Sequence, residues 1–182
     1  VSAVPSDLVE RLRRGDVAAL GEAYDEHHEH VRAFARRLLG DAAAAEDLVQ
    51  ETFVALPEAI RRYRGEASLR TFVVGVAANH ARHHVRAASR RRSAHARSEE
   101  RVRPAPETPE EQARRRELAA ALTRALDALP FEQRVAIVLC EVEQRTSAEA
   151  ARIVGAPEAT IRTRVFHAKK KLRELLVKEE HG

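Results

Sequence analysis

Between Ser93 and Gln112 the apolar periodicity that runs through the rest of this chain fails. The stretch holds Pro104, Pro106 and Pro109, is polar, and turns from basic to acidic midway. Such a segment cannot bury a core and reads as a flexible linker. It divides the 182 residues into two halves of ordinary small-domain size. Composition then limits what the halves can be. With seven Gly, seven aromatic residues and abundant Ala, Leu, Arg and Glu, helix is favoured over sheet. The expected fold is all-α: two small helical domains over residues 6–92 and 114–180, joined by a linker at 93–113.

Helix punctuation supports this. Asp7…Glu10 reads as a capping box and Gly15 as a stop, while Asp16 and Asp41 stand where they can cap the next two helices. Leu20, Tyr24, Val31, Phe34, Ala35 and Leu38 keep helical spacing as far as Gly40. Leu48, Val49, Thr52, Phe53, Leu56 and Ile60 form the inner stripe of the third helix, which Pro57 should kink or end. After a turn at Tyr63–Glu66, Ser68 caps a helix reaching about Arg92. There Leu69, Phe72, Val73, Val76, Ala77 and His80 face inward, and Arg70, Asn79, Arg82, Arg86 and Arg90 can face out. Beyond the linker, Leu118, Leu122, Leu126 and Leu129 resume the pattern. Pro130 then opens a helix with Val135, Ile137, Val138, Leu139 and Val142 as its apolar face.

Charge is distributed unevenly. Residues 82–103 carry eight Arg and two acids, a local +6, and residues 160–173 carry six basic residues and no acid, another +6. The net charge of +4 leaves −8 for the remainder. Two basic patches on an acidic body suit two contacts with a polyanion.

The second patch lies in a helix-turn-helix pattern. Thr146-Ser-Ala-Glu149 is a capping box, Gly155 permits a tight turn and Pro157 starts the next helix. In that helix Ile161, Val165, Ala168, Leu172 and Leu176 follow a 3.6-residue period and must be core. The opposite side shows Arg162, Thr163, Phe166, His167 and Lys170. This is the form of a recognition helix. Arg162 has the reach for a guanine edge, and Thr163 for a base edge or thymine methyl. Lys169, Lys170, Lys171 and Arg173 suit phosphates.

Ala45-Glu-Asp-Leu-Val-Gln-Glu-Thr-Phe53, then Arg64-Gly-Glu-Ala-Ser-Leu-Arg-Thr-Phe72 and Asn79, resembles region 2 of sigma-70 family RNA polymerase sigma factors. Ala128-Leu-Pro-Phe-Glu-Gln-Arg134, Thr160-Ile-Arg-Thr-Arg164 and His167-Ala-Lys-Lys-Lys-Leu172 resemble region 4. With two regions and a short linker, the chain is similar to the extracytoplasmic-function (ECF) group. The resemblance implies a subunit that binds core RNA polymerase, recognises −35 and −10 promoter elements and promotes strand opening. It implies contact with the β′ clamp helices through Asp47, Gln50 and Glu51, and with the β flap. It implies −10 contacts by Tyr63, Arg70, Phe72, Asn79, Arg82 and Arg86, and −35 contacts by Arg162, Thr163, Phe166, His167, Lys170 and Lys171. A regulating anti-sigma factor is a further implied partner. Phe72 stands where the family more often has Trp, and Pro57 where many members have a large aromatic. Duplex opening should therefore be modest and the factor should need a near-consensus promoter.

The competing readings are weaker. A two-domain helix-turn-helix regulator acting without core polymerase would carry a sensor domain, which residues 1–92 do not resemble. No phosphate loop, placed nucleophile or carboxylate pair points to an enzyme. His27, His28 and His30, and the i, i+4 pair His80 and His84, show no paired acid. They read as surface or half-buried imidazoles, with no metal or other cofactor expected. The single cysteine, Cys140, excludes a disulfide framework and reads as a small hydrophobe. No apolar run approaches the ~20 residues of a membrane span and no leader pattern opens the sequence, so a soluble, cytoplasmic protein is expected.

Overall fold

The structure, a computed structural model, describes residues 6–95 and 109–180. Most of the expected linker lies outside the described residues. At its two edges the chain is already helical.

Helix α1 (Ser6–Arg13) opens one residue ahead of Asp7. Asp7 therefore sits in the first turn, where its charge suits the helix dipole, and is not the cap. Helix α2 (Val17–Leu39) is capped by Asp16, whose Oδ1 accepts the Ala18 N–H at 2.8 Å. It stops at Gly40, whose φ of 62° a side chain would resist. Helix α3 (Ala42–Ala59) is capped by Asp41, which accepts the Ala44 N–H at 2.8 Å. Its regular part outlasts Pro57 by two residues and then tightens into a 3₁₀ turn at Ile60–Arg62. Helix α4 (Leu69–His95) starts at Ser68, whose Oγ accepts the Thr71 N–H at 3.2 Å.

These helices bury one another's stripes. Leu48, Val49, Phe53 and Leu56 of α3 pack with Val31, Phe34 and Leu38 of α2 and Val73, Ala77 and Ala81 of α4. Leu8 and Leu12 of α1 close one end. The hydroxyl of buried Thr52 is satisfied by the Leu48 carbonyl at 2.6 Å.

The second domain comprises α5 (Pro109–Asp127), α6 (Phe131–Ile137), α7 (Ser147–Val154) and α8 (Glu158–Glu180). Leu126 and Leu129 pack with Ala168 and Leu172 of α8. Leu118 and Leu122 are exposed despite their helical spacing. After α6 the chain widens into a π-helical turn, Val138–Val142. Its extra residue rotates the following side chains, which is why Val142 is exposed instead of joining the expected apolar face. Arg134 is fully buried, and its Nη1 donates to Asp127 Oδ1 at 2.5 Å, tying α5 to α6.

The two domains do not keep separate cores. One apolar cluster runs from Leu48 and Val73 through Val135, Leu139, Ile153 and Ile161. α7 crosses α4 at Gly75, where an added Cβ would lie 2.6 Å from the Ile153 carbonyl oxygen. Ion pairs Arg37–Glu143 and Arg82–Glu132 span the same interface. Among the described residues there is no strand, and no helix is long and apolar enough to cross a membrane.

Candidate nucleic-acid interface

The helix-turn-helix is built by local rules. Thr146 Oγ1 accepts the Glu149 N–H at 3.2 Å, and Glu149 Oε2 accepts the Thr146 N–H at 2.8 Å. These hydrogen bonds from the Thr146 backbone and hydroxyl hold the Glu149 carboxyl below its usual range. α7 ends at Gly155, with φ 66°, and the Pro157 carbonyl accepts the Thr160 N–H at 3.0 Å to begin α8. Ile161 and Ala168 are wholly buried behind this frame.

On the other side of α8, Arg162, Thr163, Phe166, His167, Lys170 and Lys171 are all exposed. Phe166 is 65% exposed, and its ring meets the edge of His167 at 5.4 Å between centroids. A bare aromatic flanked by cations is an expensive surface in water and a useful one against nucleic acid. Arg162 pairs loosely with Glu158 on the same helix at 2.8 Å. Lys169 is drawn to Glu141 at 2.9 Å, away from this face.

The first-domain residues fall into two groups. Tyr63 and Phe72 form a tilted ring pair with centroids 4.9 Å apart. Tyr63 is buried, its hydroxyl donates to the Ala67 carbonyl, and burial pushes its phenol pKa up. Arg13 donates to the Tyr63 carbonyl at 2.5 Å and fixes the loop from behind. This pair floors a cleft of about 750 Å³, with Asn79 on one wall and Arg152, Gly155 and Pro157 of the second domain on the other. Arg70, Asn79 and Arg86 are exposed. Arg82 is engaged: it pairs with Glu132 and lies 4.6 Å over the Phe131 ring.

On α3, Asp47 and Gln50 are exposed beside Val54, which is 79% exposed. Glu51 is different. It is half-buried against α4, with Oε1 2.8 Å from His80 Nδ1 and Oε2 2.7 Å from His84 Nε2. Burial raises its carboxyl pKa, but the contacts with His84 and His80 outweigh that and leave it lowered. The i, i+4 histidine spacing was visible in the sequence, whereas the acid that meets it comes from another helix. Gly75 gave no signal of its role, because Ile153 is remote in sequence.

Comparison with known proteins places the chain in a family. The family model for sigma-70 region 2 matches residues 23–91, and that for sigma-70 region 4 matches residues 119–172. The chain is 32% identical to the RNA polymerase sigma factor CarQ of Myxococcus xanthus, over 92% of this chain and 95% of that one. It is also 32% identical to the ECF RNA polymerase sigma factor SigE of Mycolicibacterium smegmatis, over 90% of this chain and 65% of that longer protein. Its fold is similar to that of the sigma factor RpoE solved in complex with the anti-sigma factor NepR from Bartonella quintana. That match has a TM-score of 0.57 and 26% identity, covering 88% of this chain and 98% of that one.

Proposed function

Because this chain belongs to the ECF group of the sigma-70 family, we propose that it joins core RNA polymerase and reads promoters through two faces, one of which its own domain packing covers. The observation that carries this is the division of α8. Ile161 and Ala168 are fully buried on one side, and Arg162, Thr163, Phe166, His167, Lys170 and Lys171 are all in water on the other. That side suits the major groove of a −35 element, with Arg162 and Thr163 on base edges and Lys170 and Lys171 on phosphates.

The −10 element is assigned to the cleft above Tyr63 and Phe72. Asn79 reads a base edge there, and Arg70, Arg82 and Arg86 hold the backbone. Tyr63 acts from below as a buried support for Phe72, since its hydroxyl is already committed to Ala67. Asp47 and Gln50 supply the acidic and polar contact to the β′ clamp helices, with Glu51 beside them, and the second domain meets the β flap. The protein itself carries no reaction: the polymerase makes RNA, in the cytoplasm, and this subunit supplies address and strand opening.

In the packed form α7 walls the −10 cleft and Glu132 occupies Arg82. Promoter binding thus requires the domains to part. An inhibitory protein that bridges them would keep the factor silent, the role assigned here to an anti-sigma partner. The test is run-off transcription with core polymerase, with and without this protein, on a randomised −35/−10 library. Stimulated, sequence-selective initiation is expected. Selective DNA binding by the free protein, with no effect on core polymerase, would overturn the proposal.

A further inference from the structure

Three imidazoles converge on the Glu51 carboxylate. His83 Nε2 lies 3.2 Å and His84 Nε2 2.7 Å from Oε2, and His80 Nδ1 lies 2.8 Å from Oε1. Among the described residues, Glu51, His83 and His84 form the single group of three metal-ligating side chains, with ligand atoms all within 4.8 Å of one another. We propose that they bind one divalent transition-metal ion of the zinc type, and that the ion competes with polymerase for Glu51.

The chemistry of the donors selects the ion. Two neutral imidazoles and one carboxylate suit Zn²⁺ and its borderline neighbours, not Mg²⁺ or Ca²⁺, which prefer all-oxygen shells. Bonds of about 2.1 Å in a tetrahedral site place ligand atoms roughly 3.4 Å apart. The two Glu51–histidine spacings, 3.2 and 2.7 Å, need to open only slightly. His83 can supply that movement, because its side chain is 64% exposed, whereas His84 is fixed at 11%.

His80 completes the arrangement from outside. Its contact with Oε1 orients the carboxylate so that Oε2 faces the other two histidines. The fourth position opens to solvent beside His83. An ion here would bolt α3 to α4 across the face that carries Asp47 and Gln50.

The competition rests on the docking role proposed above for Glu51, whereas the site itself does not. Zn²⁺ alone is titrated calorimetrically into metal-free full-length protein, with Co²⁺ as a spectroscopic probe. One ion per chain in the micromolar range or tighter is expected, with a Co²⁺ ligand-field band and a raised melting temperature. His83→Ala, at an exposed position, should weaken binding at least tenfold, and His28→Ala should leave it unchanged. No binding, or binding indifferent to His83→Ala, overturns the site. Saturating Zn²⁺ should then weaken core polymerase binding by wild type and not by His83→Ala. If Zn²⁺ binds at this site and polymerase affinity is unmoved, the competition is overturned. If the metal-free protein does not bind polymerase at all, the docking reading itself fails.

Discussion

Replacing Gly75 by Ala should pry the two domains apart while leaving each one folded. The new Cβ would stand 2.6 Å from the Ile153 carbonyl oxygen, against 3.4 Å or more for ordinary contact. α7 must therefore retreat by about 0.8 Å, and its backbone cannot step aside as a flexible side chain would. Overpacking of this kind costs about 1–3 kcal/mol. The strain exists only while α7 sits on α4, so it falls on the packed form alone and shifts the closed-to-open ratio by about 5- to 150-fold. Helix propensity acts in the opposite sense, because Ala in a helix interior is better than Gly by about 1 kcal/mol. Loss of the first domain's helix is thus not expected. Dyes on Val17→Cys and Glu174→Cys, in a Cys140→Ser background, would report the separation by energy transfer. Circular dichroism would report the helices. Reduced transfer with unchanged helix content is expected, together with tighter binding to a −10 fork substrate by a similar factor. Unchanged transfer would refute the reasoning, and so would opening without any gain in fork binding.

Asp127→Ala removes one charged partner of fully buried Arg134 and should destabilise the second domain by about 1–3 kcal/mol, measured by urea unfolding. Burial, reinforced by the charges of His30 and Arg70 and opposed by Glu26, holds the His27 imidazole below its usual value. The unfolded chain then takes a proton below about pH 6.5 that the folded chain refuses. Its contribution to stability is intact above that pH and lost as pH falls. His27→Leu should flatten the acid limb of unfolding free energy against pH, and an unchanged slope would contradict the burial argument. With Phe72 half-buried against Tyr63 and Pro57 in place of an aromatic, permanganate footprinting should show strong opening only on near-consensus −10 elements. Efficient opening on degraded elements would refute this.

Much of the fold was legible because its signals are local. Asp16, Asp41 and the Thr146–Glu149 box cap the helices they precede, and Gly40 and Gly155 turn where a side chain would be strained. The two sides of α8 also follow from spacing alone, since the 3.6-residue period fixes which residues share the side of Ile161. Val142 escaped because a π-helical turn changes the period that the extrapolation relied on. Leu118 and Leu122 have helical spacing, but spacing does not say whether a partner arrives to cover them. The shared core of the two domains and the meeting of Glu51 with His80, His83 and His84 were invisible for one reason. Each joins residues distant in sequence, and neither helix carries a mark of the other. The interface that walls the cleft above Tyr63 and Phe72 is therefore a property of the folded chain and not of its linker.

In the proposed function, α8 reads sequence with some residues and holds phosphates with others. That division is tested most directly by selecting promoters from a randomised −35 library with holoenzyme carrying Arg162→Ala or Lys170→Ala. Arg162→Ala should cost about 1–3 kcal/mol and relax selection at one base pair. Lys170→Ala should weaken initiation on all sequences alike, with a shallower salt dependence and the same selected motif. If both variants weaken every sequence equally and leave the motif unchanged, the exposed face of α8 is not what reads the promoter.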